Sequence, residues 1–295
     1  MSGAALVSVG LPVYNGAKYI GECIDSVLAQ SYQHFELVIS DNASTDATAE
    51  ICLSYAAKDS RIRYVRQPEN RGAMPNFDYV LRHSTGKYFM WLAADDRIAA
   101  TFVEKLHGLL EKHPDFALVM SDAVIIDGRG AVVTEVAIDP IRLDRAAEEW
   151  ISTRRVFFRS PTSKTYFCIC GLGRRDVLLQ ANINYKGMVR HLEGSEMPFL
   201  AQVALKGKIG TVPELLWFHR HHDGSYSIRS DARITRRQRV DNMVNISSTL
   251  FRIAGGAELG IVDKLAVFWT ICWTLGKGLL GVMPGVGALY RRLSS

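Results

Sequence analysis

The stretch V-I-S-D-N-A-S-T-D, residues 38–46, is the most informative part of this chain about its fold. Apolar residues at its start indicate the end of a buried strand, and the polar residues after it indicate a turn that leads into a helix. Asp41 then lies at the carboxyl end of the strand, which is the edge where open parallel α/β sheets bind ligands. A single aspartate can instead serve only to cap a helix or close an Asx turn, so further residues are needed to choose between these roles.

The first 130 residues alternate between strand patterns and helix patterns. Short, almost wholly apolar runs predict strands at residues 6–11, 35–40, 62–66, 88–92 and 117–121. Between them, apolar residues recur at helical spacing and predict helices at residues 17–30, 47–57, 72–83 and 102–112. Apolar strands separated by helices are typical of a sheet that is covered on both faces. The predicted fold class is therefore α/β, with a Rossmann-like, mostly parallel sheet flanked by helices.

The pattern changes after residue 122. A β-hairpin is predicted at residues 124–136, with its turn at 127–130. Beyond it we predict helices at residues 145–158, 195–206 and 234–253, and strands at residues 166–171, 208–211 and 215–219. Residues 229–295 are predicted to form a C-terminal helical extension. Its apolar run at 265–275 is too short to span a membrane. The tail at 259–295 therefore predicts either an interfacial helix on a membrane surface, or a helix packed on the core or on a second copy of the chain.

Charge is distributed unevenly along the 295 residues. Residues 1–139 hold 12 Lys and Arg against 18 Asp and Glu, whereas residues 140–295 hold 23 against 12. The basic half fits an anionic membrane surface or a phosphate-bearing substrate, and nucleic acid is not an expected partner because the sequence has no recognition module for it. The five cysteines are odd in number and scattered, which favours free thiols in a reducing compartment. The predicted location is the cytoplasm, either free or peripheral on the inner face of the membrane.

Polar residues follow each of the first four predicted strands, at the point where the strand ends. They lie in four short segments, residues 11–15 (L-P-V-Y-N), 41–46 (D-N-A-S-T-D), 70–72 (N-R-G) and 93–96 (A-A-D-D). Because the carboxyl ends of parallel strands meet at one edge of a sheet, we expect these segments to be neighbours in space. The sequence therefore predicts a polar site that contains several carboxylates at this edge.

These segments, in this order, resemble inverting glycosyltransferase family 2 of the GT-A fold. The resemblance rests on P-V-Y-N-x-A-x-Y-I at residues 12–20, E-L-V-I-S-D-N-A-S-T-D at 36–46 and E-N-R-G-A at 69–73, followed by the acidic pair. It covers residues 5–130 closely and residues 190–228 more loosely. It implies a donor-binding half at residues 1–125 and an acceptor-binding, catalytic half at residues 126–228, ahead of the helical extension.

The resemblance implies an enzyme that moves a single sugar, with inversion, from a UDP- or dTDP-linked donor. The expected acceptor is a glycan or a polyprenyl-linked molecule in cell-surface polysaccharide biosynthesis. The sequence also departs from the family pattern, because Ala93 stands at the first position of the D-x-D or D-S-D-D motif and the usual Glu-Asp dipeptide is absent. The alternative is therefore a non-catalytic nucleotide-sugar-binding or scaffold protein on the same fold.

By the same resemblance, a set of residues is expected to surround the donor. These residues are Pro12, Tyr14, Asn15, Asp41, Asp46, Arg71, Asn76, Asp95 and Arg220. Asp41 would accept a hydrogen bond from the imide N–H of the base, and Asp46 would support the Asp41 turn. Arg220 would contact a phosphate. Arg71 and Asn76 would either approach the donor or remain solvated groups at the surface.

The resemblance also implies a metal site and a general base. The candidate ligands of a divalent cation, Mn²⁺ or Mg²⁺, are Asp95, Asp96 and His222, because hard oxygen ligands suit these ions. One aspartate would hold the metal while the other contacts the ribose or the donor sugar, in either order, and His222 would contact the metal or the diphosphate. The base that takes the proton of the acceptor hydroxyl is expected at the start of the helix that precedes G-K-I at residues 207–209. Alignment of that helix with the family pattern favours Glu196, and Glu193 is the alternative.

Overall fold

The computed structural model describes residues 5–137, 150–151, 169–181 and 196–223, and residues 241, 244–246, 248–250 and 252–253. Its first part alternates strands and helices, as the sequence predicts. The strands are β1 (Val7–Val13), β2 (Phe35–Asp41), β3 (Ile62–Arg66), β4 (Tyr88–Trp91) and the short β5 (Arg97–Ile98). The helices are α1 (Ile20–Leu28), α2 (Thr48–Ala56), α3 (Ala73–Arg82) and α4 (Phe102–Lys112). The α/β class is thereby confirmed for this part of the chain.

The apolar patterns explain why these elements form. Every residue of β1 is buried, as expected for a strand that is covered on both faces. Helix α1 buries Ile20, Cys23, Ile24 and Val27, which recur at the spacing of one helix face. Helix α1 therefore covers the sheet with an apolar face.

The remaining described elements complete the sheet. They are β6 (Phe116–Ile126), β7 (Val132–Val136), β8 (Trp150–Ile151), β9 (Leu172–Arg174), α5 (Arg175–Gln180), α6 (Glu196–Lys206) and β10 (Lys208–Arg220). Strands β6 and β7 form the predicted hairpin, with residues 127–130 at its turn. The two strands predicted at 208–211 and 215–219 form one strand, β10, with shifts in its register between Val212 and Trp217. A bulge at this place lets the chain pass Pro213 without ending the strand.

Among the described residues, the strands join in the order β3-β2-β1-β4-β9-β6-β10-β5, with β7 beside β6 and β8 beside β10. The first four strands in this order are parallel, and β6 and β10 are also parallel. Strand β9 is antiparallel to both of its neighbours, β4 and β6, and so joins the two parallel groups. The register pairs Val13 with Asp41, so the carboxyl ends of β1 and β2 lie side by side.

Two predictions for the second half of the chain are wrong where the structure describes it. Residues 150–151, placed by the sequence in a helix at 145–158, form β8, because their backbone pairs with Ile209 and Gly210 of β10. Residues 169–171, predicted to end a strand at 166–171, form a short 3₁₀ turn and a bend before β9. At residues 150–151, pairing with β10 prevails over the local helix pattern.

The C-terminal part is described only in places. The residues described between 241 and 253 are helical, in agreement with the helix predicted at 234–253. The predicted interfacial tail, residues 259–295, lies outside the described residues. Within the described part, no helix has the length and apolar character needed to cross a membrane. The division of the chain at residues 125/126 and 228/229 stays a prediction.

Candidate functional site

Segments from distant parts of the sequence meet at the carboxyl edge of the parallel strands. A Cβ added to Gly16, in the loop after β1, would lie 3.5 Å from the Cβ of Ala94, in the loop after β4. The thiol of Cys23 on α1 donates to the Ala93 carbonyl oxygen over 3.4 Å. The end of β10 reaches the same loop, because the Arg220 N–H donates to the Asp96 carboxylate. The segment after β3 joins them as well, because the Asn42 amide nitrogen donates to the Asn70 side-chain oxygen at 2.9 Å. The structure therefore brings together the segments after β1, β2, β3 and β4, as predicted, and adds the end of β10 to them.

The Asp41 carboxylate holds the turn after β2. One oxygen accepts the Ser44 N–H at 2.8 Å, and the other accepts the hydroxyl of Tyr64 on β3 at 2.8 Å. The side chain is fully buried. Burial and the Asp41 carboxylate raise the pKa of Tyr64, so its hydroxyl remains a donor. The Asp41 side chain thus closes the turn by accepting the N–H of the residue three positions further on, and the predicted contact with a base stays a prediction.

Asn15 and Asp46 link the loop after β1 to the start of α2. The Asn15 N–H donates to the Ser44 hydroxyl at 2.9 Å, and its side-chain oxygen accepts the Thr45 N–H at 2.8 Å. Asn15 has a φ of 52°, a left-handed conformation that asparagine tolerates better than most residues. Asp46 accepts the N–H groups of Ala17 at 3.1 Å and of residue 48 at 3.0 Å. The side chains of Asn15 and Asp46 therefore both accept hydrogen bonds from backbone N–H groups of these two segments.

Asn76 and Arg71 have different environments. Asn76 is buried, and its amide nitrogen donates to the Ser40 carbonyl oxygen at 2.8 Å while its amide oxygen accepts the Ser40 hydroxyl. Asn76 is therefore not the solvated surface group that the sequence allowed. Arg71 is exposed and lies 3.4 Å from the Glu69 carboxylate. A salt bridge this exposed contributes little to stability and leaves the guanidinium able to move.

Tyr14 and Pro12 lie next to each other in sequence but are exposed to different degrees. Pro12 is buried within β1, where its ring adds to the apolar strand. Tyr14 is 48% exposed just beyond the strand, beside the Asn15 turn. An exposed aromatic ring beside a polar turn presents a flat surface on which a nucleotide base can stack.

Asp96 is nearly inaccessible to solvent. Its carboxylate accepts the Arg220 N–H at 2.9 Å and lies 3.1 Å from Nδ1 of His219. Burial alone lowers the pKa of His219, but the Asp96 carboxylate has the opposite effect and the pKa is raised above its ordinary value. Asp96 therefore joins the loop after β4 to the end of β10. This placement favours a positioning role over the predicted role of metal ligand.

Asp95 is more open than Asp96. One of its carboxylate oxygens lies 3.1 Å from Nε2 of His222, and its side chain is 28% exposed. Burial and the neighbouring Asp96 carboxylate raise the pKa of Asp95 above its ordinary value. Repulsion of this kind is relieved by a bound cation, and a carboxylate beside an imidazole is a suitable ligand pair for Mn²⁺. The donor chemistry of Asp95 and His222 thus fits the predicted metal.

Protein side chains alone would not complete the predicted metal site. Among the residues that the structure describes, no group of three or more His, Cys, Asp or Glu side chains is arranged to hold a metal ion. Two protein ligands are compatible with Mg²⁺ or Mn²⁺ when substrate phosphates and water complete the coordination.

Arg220 is buried rather than open to a phosphate. Its Nε donates to the Asp95 carbonyl oxygen at 2.8 Å, and its Nη2 lies 2.6 Å from the Glu22 carboxylate on α1. Its Nη1 donates to the Asp127 carbonyl oxygen in the hairpin turn, at 3.3 Å. The guanidinium also lies over the ring of Tyr19, 4.6 Å from the centroid. These contacts make Arg220 a buried connector, and its predicted phosphate contact stays untested.

The structure describes neither side chain of the two predicted general bases. Glu193 is outside the described residues, and only the backbone of Glu196 is described, as the first residue of α6. The helix begins where the sequence predicts a carboxylate, and a helix N-terminus favours an acidic side chain in any case. The choice between Glu196 and Glu193 stays a prediction.

Three residues of the site were missed by the sequence interpretation. Tyr19 carried a signal, because it falls in the P-V-Y-N-x-A-x-Y-I segment. Its ring lies 4.7 Å from the His222 ring, and its hydroxyl donates to the Gly128 carbonyl oxygen. Glu22 and Tyr64 carried no such signal, because their partners Arg220 and Asp41 are distant in sequence.

Comparisons with known proteins agree on one family. The model of glycosyl transferase family 2 matches residues 8–180, more than half of the chain. The glycosyltransferase GlyG of Streptococcus pneumoniae serotype 4 is 31% identical over 155 residues, which are 49% of this chain and 51% of GlyG. TuaG of Bacillus subtilis, assigned provisionally as a teichuronic acid biosynthesis glycosyltransferase, is 36% identical over 124 residues, 42% of this chain and 49% of TuaG. The chain thus spans about half the length of these curated relatives.

Solved structures extend the likeness to almost the whole chain. Residues 1–349 of TarS from S. aureus, in complex with UDP-GlcNAc, superimpose with a TM-score of 0.67 at 16% identity. The match covers 92% of this chain and 72% of that structure. The predicted α/β class with a GT-A fold is confirmed by this likeness.

Proposed function

Because the chain belongs to glycosyl transferase family 2, we propose that it transfers a single sugar from a UDP- or dTDP-linked donor, with inversion, to a glycan or polyprenyl-linked acceptor. The observation that carries the proposal is the pairing of Asp95 with His222 over 3.1 Å at the carboxyl edge of the sheet. This edge is where α/β sheets bind nucleotides.

The donor would lie between the Asp41 turn and the Asp95–His222 pair. The exposed ring of Tyr14 supports a base at the first end, since it can stack on uracil or thymine. The Asp41 carboxylate supports a base with an imide N–H, because an ionised carboxylate only accepts hydrogen bonds. The UDP-GlcNAc bound by TarS is a donor of this kind.

Asp95 and His222 would hold Mn²⁺ or Mg²⁺ together with the diphosphate. When bound, the cation would offset the negative charge that develops on the leaving diphosphate. The raised pKa of the Asp95 carboxyl supports this role, because a nearby cation stabilises its charged form. Glu196, or Glu193 as the alternative, would take the proton of the acceptor hydroxyl.

The proposal for the acceptor rests on a relative and on the charge of the chain, and not on individual residues of the site. The relative TuaG is assigned to teichuronic acid biosynthesis, which supports a role in cell-surface polysaccharide biosynthesis. The basic charge of residues 140–295 supports an anionic, lipid-linked acceptor at the inner face of the membrane. Residues 259–295 would then contact the membrane surface or a second copy of the chain.

The proposal is tested by Asp95→Asn, with Asp115→Asn as the matched control. Asp115 precedes β6 at the opposite end of the sheet, and its exposed carboxylate pairs with Lys208 at 2.9 Å. We expect hydrolysis of the cognate UDP- or dTDP-sugar to need Mn²⁺ or Mg²⁺ and to stop with EDTA. Asp95→Asn should lower its rate by about 100-fold, the scale of losing one electrostatic group of a reaction centre. Equal rates for both variants would contradict the assignment of Asp95.

A second function is supported by one observation. Ala93 places a methyl group where the family pattern has its first metal-binding aspartate, and a methyl group cannot bind a cation. A binding or scaffold protein on this fold would be stabilised by its cognate UDP- or dTDP-sugar and would hydrolyse none of it. Thermal unfolding with and without each donor, followed by an assay for release of UDP or dTDP, separates the two functions.

A further inference from the structure

The Asp95–His222 pair is assembled by residues that do not belong to it. Asp95 lies in the loop after β4, and His222 lies just beyond β10, 127 positions later in the sequence. Neither residue is held by its own strand, since both lie past the strand ends. Some contact between the two loops must therefore fix the 3.1 Å separation of the carboxylate and the imidazole.

Arg220 supplies that contact. Its Nε donates to the main-chain carbonyl oxygen of Asp95 at 2.8 Å, so it holds the backbone from which the Asp95 carboxylate projects. It is two residues from His222, and the ring of Tyr19 lies against both, 4.6 Å from the guanidinium and 4.7 Å from the imidazole. Tyr19 and Arg220 also donate to carbonyl oxygens of the hairpin turn, at Gly128 and Asp127.

The position of the Arg220 guanidinium depends on a carboxylate of α1. The side chain of Arg220 is only 2% exposed, and a buried cation is stable only when it is paired and hydrogen-bonded. Its Nη2 lies 2.6 Å from Oε2 of Glu22. The other oxygen of Glu22 lies 3.2 Å from Nη1 of Arg97, which follows the acidic pair. Glu22 therefore holds arginines from both sides of the site.

We propose that Glu22 is a positioning residue of the donor site, which acts through Arg220 to hold Asp95 and His222 at the spacing that a divalent cation and diphosphate require. The inference rests on the proposed function, and it assigns to α1 a part in metal and diphosphate binding. Residues that orient metal ligands from outside the coordination shell commonly change metal affinity when they are replaced.

A simpler role for Glu22 has to be separated from this one. Glu22 is the third residue of α1, where any carboxylate is favoured by the helix dipole. Glu50 is the third residue of α2, is exposed, and provides a matched control with the same helix position. A helix-dipole role predicts the same effect for both residues, whereas a positioning role predicts an effect for Glu22 alone.

The experiment measures binding of Mn²⁺–UDP to the full chain by titration calorimetry, without turnover. Glu22→Ala should weaken binding by about tenfold, as found for lost outer-shell partners. Glu22→Gln keeps a hydrogen-bond acceptor for Arg220 and should weaken binding by about threefold. Glu50→Ala and Glu50→Gln should bind as the wild type does. In hydrolysis assays, the Mn²⁺ concentration for half-maximal rate should rise for the Glu22 variants, while the rate at saturating Mn²⁺ recovers.

Equal binding by the Glu22 and Glu50 variants would overturn the inference and leave the proposed function standing. If Glu22→Ala fails to fold, the comparison of Glu22→Gln with Glu50→Gln decides in the same way. Absence of binding of both Mn²⁺–UDP and Mn²⁺–dTDP by the wild type would contradict the proposed function itself. The two failures are therefore distinguishable.

Discussion

Two acidic turns lie at the same edge of the sheet, and they use their carboxylates differently. After β2, Asp41 is fully buried and Asp46 accepts backbone N–H groups, so both carboxylates hold the turn and the start of α2. After β4, Asp96 is buried against β10, but Asp95 is partly open and its pKa is raised. The carboxylates of the first turn therefore fix its backbone. The second turn keeps one carboxylate, that of Asp95, which is partly open to solvent and lies beside a second negative charge.

The comparison shows that the environment of an aspartate defines its role. A carboxylate that accepts hydrogen bonds from N–H and O–H groups of the protein contributes to stability. A carboxylate next to another carboxylate is destabilised in its charged form, and a bound cation relieves that repulsion. Substitutions at Asp96, Tyr64 and Asp46 each alter one residue in or beside these turns. Loss of stability identifies a residue that holds the fold, and loss of metal or donor binding identifies a site residue.

The largest effect is expected for Asp96→Asn. Asp96 accepts the Arg220 N–H and contacts His219, so the substitution removes a buried charge from two hydrogen bonds. We expect the free energy of unfolding to fall by about 2–3 kcal/mol, measured by urea denaturation. Asp115→Asn should leave it unchanged within the error of the measurement, because that side chain is exposed. An Asp96→Asn protein of unchanged stability but weakened Mn²⁺ binding would instead make Asp96 a metal ligand.

A smaller effect is expected for Tyr64→Phe, on β3 beside the first turn. The substitution removes the hydroxyl that donates to Asp41 and keeps the ring. We expect the free energy of unfolding to fall by about 1 kcal/mol. UDP should bind at least as tightly as to the wild type, because one oxygen of Asp41 becomes available to the base. Weaker UDP binding in calorimetry would show that the Tyr64 hydroxyl contacts the donor itself.

The smallest effect is expected for Asp46→Asn, and it should depend on pH. Burial opposes ionisation of Asp46, but the hydrogen bonds from Thr48 and the Ala17 N–H together outweigh it and lower the pKa of Asp46 below its ordinary value. The folded state therefore binds this proton less tightly than the unfolded state, so the stabilisation is present at neutral pH and is lost as the pH falls through the folded-state pKa.

We expect Asp46→Asn to cost about 0.5 kcal/mol at pH 7, the low end for a lost helix cap, because asparagine keeps a side-chain oxygen that accepts hydrogen bonds. Urea denaturation at decreasing pH should show this difference between wild type and variant shrink as the pH falls through the lowered pKa of Asp46, where its carboxylate becomes protonated. A difference that stays constant down to pH 3 would mean that the charge of Asp46 has no part in holding the turn.

Most of the first half of the fold could be predicted from local patterns. Strand β3 and helix α4 have the predicted bounds, Ile62–Arg66 and Phe102–Lys112, because apolar periodicity is strong in both. Strands β8 and β9 could not be placed, because each is only two or three residues long and exists through pairing with β10, β4 and β6. Such short strands have no pattern of their own.

The sequence predicted which residues belong to the candidate site better than it predicted what each residue does there. Asp95 and His222 were expected to act together, and their side chains are in contact. Arg220 was expected at a phosphate and lies buried against Glu22, because charge type does not reveal burial. Asn76 was left between donor and surface, and it is buried against Ser40. These assignments needed the partners that folding supplies.

The sequence by itself determined the family, the α/β class and the segments that meet at the edge of the sheet, since strand patterns and polar strand ends are local properties of the chain. Only the tertiary structure decided which carboxylates hold the fold and which one is partly open to solvent. Asp41, Asp95 and Asp96 are chemically identical side chains. Their different roles arise from burial and from partners such as Tyr64, His222 and Arg220, which lie between 23 and 127 positions away in the sequence.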